Sequence, residues 1–176
     1  MSVAIRAPFP VSRGAAIAMA ALGPVAIGGI LATRAHDPSP ILAAPAIVFG
    51  VIAATAPALY IATAAAGQAP PLAAVVRAFG IALGAFGIAL AGLILPAAFA
   101  SLSSLAPQTT IAVTSAAIAA AGGLGLRRLA SELRAGAGEA KLAPSLAGSA
   151  VFLIWATAIA TIAGRLWWDL AVEVVS

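Results

Sequence analysis

The chain has 176 residues, 63% of them apolar and only 8% charged, with a mean hydropathy of +1.13. A soluble domain carries about a quarter charged residues, so these few charges could not cover a water-facing surface, and lipid is the expected solvent. The absence of cysteine excludes disulfides, thiolate metal sites and thiol chemistry.

A formal charge of +4 and a pI near 11.2 do not by themselves point to nucleic acid, which needs a clustered basic face. Here the basic residues are scattered at the ends of apolar runs, where they report topology. Eight of the nine are arginine, and that bias, with abundant Ala and Gly, resembles high-GC bacterial coding.

In chain order, residues 1–13 are short, basic and broken by Pro8 and Pro10. Residues 14–33 are uncharged, and their length crosses about 30 Å of hydrocarbon at about 1.5 Å per residue. The apolar core of a signal peptide would be about 7–15 residues, so this run is expected to be a retained transmembrane helix. The polar turn Arg34 to Pro40 follows, then a second span over 41–66 with Pro45 in its first turn and Pro57 inside. Gly67 to Pro71 forms the next turn.

The third span is expected over 72–98, with Arg77 near its start and Pro96 near its end. Ser101 to Thr110 is an uncharged connector with Ser, Pro and Thr suited to capping. The fourth span covers 108–126 and ends at Arg127 and Arg128. Residues 127–144 are the longest polar stretch, into whose start Leu126, Leu129 and Leu133 extend the fourth helix as an amphipathic face. A fifth span over 145–168 ends among Arg165, Trp167 and Trp168.

The sequence therefore predicts a single domain of residues 1–176, an all-α bundle of about five transmembrane helices. Seven of the nine basic residues (Arg6, Arg13, Arg77, Arg127, Arg128, Arg134, Lys141) then share one side. By the positive-inside bias that side is cytoplasmic, with the N-terminus there and the C-terminus opposite, in a bacterial inner membrane.

Within lipid, helices associate by close van der Waals packing and a few hydrogen bonds. Gly80, Gly84, Gly87 and Ala91 give the third span a continuous small-residue face, a candidate contact for a partner or second copy, although packing within the chain explains such spacing more commonly. Ala116, Ala120 and Gly123 offer a shorter one on the fourth. The hydroxyl pairs Thr110 and Thr114, Ser145 and Ser149, and Thr157 and Thr161 can each bond back to their own helix. Tyr60, Trp167 and Trp168 read as interfacial anchors, because amphipathic rings favour the headgroup level. Arg127, Arg128, Arg134 and Lys141 read as a contact for anionic lipid or for a peripheral partner. Trp155, mid-span, reads as a groove filler or a lipid-facing ring.

No ionisable residue falls in the middle of any expected span, which argues against proton- or sodium-coupled transport and intramembrane catalysis. His36 and Asp37 lack further ligands or a nucleophile nearby and read as a solvated turn. No catalytic residue, metal site or cofactor is expected. The function indicated is that of a non-catalytic multi-pass subunit, packing against itself or other membrane proteins in a larger assembly. The alternative is a small transporter, channel or holin-like pore with a pathway between protomers.

Overall fold

The computed structural model describes residues 13–67, 70–104, 106–136 and 146–175. They form five helices: α1 (Arg13–Ala35), α2 (Ser39–Ala65), α3 (Leu72–Ser103), α4 (Pro107–Gly136) and α5 (Leu146–Val175). Among the described residues there is no strand, and the architecture is an all-α membrane bundle. Helices α2 to α5 are each long and apolar enough to cross a bilayer alone. α1 is a helix of 23 residues that packs against α3 and α2.

The longest helix outruns the hydrocarbon it would cross. α3 has 32 residues, about 48 Å at the helical rise, against about 30 Å of hydrocarbon. It continues past Pro96 to Ser103, beyond the expected end at 98. Pro24, Pro45 and Pro57 likewise lie inside unbroken helices. In lipid a helix has no water to exchange its backbone bonds for, so breaking it costs more than the one bond that proline removes.

The turns obey local rules. α1 ends at His36, whose φ of 54° is the left-handed region that commonly closes a helix. Asp37 then caps α2 from outside its first turn, accepting the Ser39 backbone N–H at 3.1 Å and the Ser39 hydroxyl. α2 closes at Gly67, φ 67°, whose N–H donates to the Ala64 carbonyl at 2.9 Å. Pro107 opens α4, and the Ala106 N–H donates to Ser104 Oγ at 3.2 Å.

Successive helices are antiparallel, and α3 is the central element, packed against α4 on one side and α1 on the other. α2 lies on α1 and carries α5 on its flank. One cluster fills the half of the bundle near Arg34: Ile27, Leu31, Ala44, Phe86, Leu90, Ala97, Ala117, Ala121, Trp167 and Leu170. A second fills the half near Arg77: Leu59, Ala78, Ala82, Leu129 and Trp155. The two ends are called below the Arg34 end and the Arg77 end.

Candidate functional site

Three sets of residues could carry function in such a bundle: those that bring helices close, those that satisfy polar groups inside it, and the charges at its ends. Close approach occurs where glycine removes the side chain. A Cβ on Gly28 of α1 would collide with the Pro40 carbonyl and lie 2.8 Å from Ile41 Cα, so α1 and α2 touch backbone to backbone there. A Cβ on Gly125 of α4 would lie 3.2 Å from Phe86 Cβ, and one on Gly23 would lie 3.0 Å from the Leu90 side chain.

The α3 stripe is divided by the fold. Gly84 and Gly87 are buried within the protomer and Ala91 is half-buried. Gly80 is exposed, with nothing near enough for a Cβ to meet. On α4 the small-residue face of Ala116, Ala120 and Gly123 is turned wholly outward, together with Ala112 and Ala119. A Cβ on Gly123 would meet nothing within 4 Å. Bulky apolar side chains stud the outer surfaces of α3 (Leu95, Phe99, Leu102) and α5 (Leu153, Ile154, Leu166), whereas α4 exposes only Leu124.

Polar groups inside the bundle are few and mostly paired. Trp155 is buried on α5, donates its indole N–H to the Thr55 carbonyl of α2 at 2.9 Å, and meets Phe79 edge-on at 5.8 Å. Trp167 also points inward, 8% exposed, with its N–H on Ser115 Oγ of α4 at 2.7 Å. Trp168 beside it is 58% exposed, and Tyr60 is half-buried. The anchor chemistry read from sequence thus divides: Trp168 faces outward at the Arg34 end, while Trp167 is an interhelical lock. Arg34, half-buried, donates from one guanidinium nitrogen to the carbonyls of Ser101 and Ser104, where α3 ends. A cation at a helix C-terminus meets the negative end of the peptide dipoles and the carbonyls left without amide partners.

The ends differ in charge. Arg77, Arg127 and Arg134 are exposed at one end, where Arg128 pairs with Glu132 at 2.8 Å. At the other, Arg165 pairs with Asp169 at 3.2 Å, and Asp37 and Glu173 line a shallow polar depression with Ala35, Ser39 and Leu170. The Ser39 hydroxyl and then its backbone N–H hold the Asp37 carboxyl below its ordinary value. Lys141 and Ser145 lie outside the described residues. Among the described residues no group of three or more His, Asp or Glu side chains could hold a metal ion.

No family model matches this chain, and no curated protein or solved structure matches it either.

Arg34, Gly28, Gly125 and the inward Trp167 escape sequence reasoning for one reason. Each acts on another helix, and nothing local distinguishes Gly28 from Gly29, which meets nothing. The doubled signal at Trp167 and Trp168 marks the membrane level but not which ring turns inward.

Proposed function

We propose that this protein is a non-catalytic, multi-pass subunit of a bacterial cytoplasmic membrane assembly, and that it acts by packing the outer face of α4 against another transmembrane helix. The observation that carries this reading is the outward strip Ala112, Ala116, Ala119, Ala120 and Gly123. Lipid tails gain nothing from so smooth a surface, whereas a neighbouring helix backbone can approach it closely and gain dispersion contacts. The rest of the molecule supports the reading by what surrounds the strip: connectors too short to form a soluble domain, and two buried indoles that join helices. Among the described residues, five arginines (Arg13, Arg77, Arg127, Arg128, Arg134) against Glu132 at the Arg77 end, and two against Asp37, Asp169 and Glu173 at the other, favour the Arg77 end as cytoplasmic.

The test uses the natural absence of cysteine. Ala116→Cys or Ala120→Cys should cross-link in native membranes, to a second copy or to a foreign subunit, whereas a cysteine at exposed Leu95 on α3 should not. Gly123→Leu should convert the assembly seen by native mass spectrometry in mild detergent to the lone chain. A wild-type chain that is already alone, with no cross-link at either alanine, would remove the proposal.

A further inference from the structure

Several hydroxyls in the bundle bond to a carbonyl of their own helix one turn back. Thr55 donates to Val51 at 2.7 Å, Thr114 to Thr110 at 2.7 Å, and Thr161 to Thr157 at 2.9 Å. Two others are buried without any partner. Ser101 on α3 and Thr110 on α4 are each 1% exposed, and neither Ser101 Oγ nor Thr110 Oγ1 has a hydrogen-bond partner. Such a hydroxyl away from water is costly, and the helix carbonyl that could relieve it is within reach of most threonines.

The register of the α3–α4 hairpin brings these two together. Phe86 faces Gly125, and Ser104 Oγ donates to Thr109 Oγ1 at 3.0 Å. Ser101 lies as far along α3 past Phe86 as Thr110 lies along α4 before Gly125, so the two sit at one level of the antiparallel pair. Arg34 of α1 reaches the same level, since its guanidinium is on the Ser101 carbonyl. Two hydroxyls without partners therefore share one level with a guanidinium that carries five donors.

We propose that Ser101 Oγ and Thr110 Oγ1 hold a buried water molecule between α3 and α4 at the Arg34 end. Water is the ligand that the chemistry selects. Each hydroxyl can both donate and accept, so the pair satisfies a molecule that does the same, and a buried water needs two to four such partners. No covalent step is involved. The water ties the end of α3 to the start of α4 where the connector between them is short, and it extends the hold that Arg34 has on the α3 carbonyls.

A double-mutant cycle on the full-length protein in detergent tests this. Ser101→Ala and Thr110→Val should each lower the melting temperature, by about 2–4 °C for a loss of this size. The double variant should fall no further than the worse single variant, because either change empties the shared site. Thr110→Ser keeps the hydroxyl and should keep the coupling. Additive shifts, or a single variant that melts at or above the wild type, would overturn the proposal. A density map that resolves waters should place one peak about 2.7–3.2 Å from both oxygens. A direct Ser101 to Thr110 hydrogen bond in that map, with no such peak, would overturn it as well.

Discussion

Trp155 carries one of two indole N–H groups that the bundle satisfies away from water, and it shows how one residue joins two helices by separable means. Its N–H reaches the Thr55 carbonyl while its ring meets Phe79 and Phe152. Interhelical hydrogen bonds in membranes contribute modestly, on average about 0.6 kcal/mol, because the dissociated helices also find partners. Loss of a buried aromatic body costs more, about 3–5 kcal/mol. Trp155→Phe should therefore lower unfolding stability in detergent by about 0.6–1.7 kcal/mol, and Trp155→Ala by several times as much. Equal losses in the two variants would show that the ring is not what fills the space. At Asp37 the sign of the pH dependence is set by the same kind of local bond. Its carboxyl is held low in the folded protein by Ser39, so the stabilisation is present above the ordinary carboxylate value. It is lost as pH falls through the depressed folded value.

At the scale of elements, glycines bring neighbouring helices close beside the interlocking side chains of the core. Gly28 against Pro40 and Ile41 fixes α1 on α2, and Gly125 against Phe86 and Ala82 fixes α4 on α3. Both contacts are between chain neighbours joined by short turns, which already hold the pair antiparallel. The outward glycines Gly50 and Gly123 face nothing of their own chain. Gly28→Ala must push α1 off α2 and should cost about 1–3 kcal/mol, the range for overpacking. Gly50→Ala should stay within about 0.5 kcal/mol of wild type, as for a surface change. Thermal unfolding in the same detergent measures both, and a neutral Gly28→Ala would mean that the α1–α2 contact is looser than drawn. The stripe Gly80, Gly84, Gly87, Ala91 shows how much of this was legible beforehand. Its spacing reveals a small-residue face, but only packing separates Gly84 and Gly87, covered inside, from Gly80, bare outside.

At the scale of the whole molecule, the asymmetry of charge and the asymmetry of surface are independent. The basic Arg77 end faces the cytoplasm on the proposed orientation, which places the end of α5 on the opposite side. A C-terminal alkaline phosphatase fusion should be active in cells and a C-terminal green fluorescent protein dark, and the reverse pattern would refute the orientation. The smooth outer face of α4 runs along the bundle rather than across its end, so reversing the orientation would leave the proposed packing face intact.

The membrane character, the five helices and the unequal charge of the two ends were all legible in the sequence. Transfer into lipid depends on each residue's own side chain, and its cost adds along the chain, so a run of apolar residues declares itself locally. What only the tertiary structure decided is which surfaces meet. The helical period alone cannot tell Gly28 from Gly29, Trp167 from Trp168, or the covered from the bare part of a small-residue stripe. Those distinctions belong to pairs of residues on different helices, and they exist only once the helices have packed, with α3 between α1 and α4 and Arg34 over the end of α3.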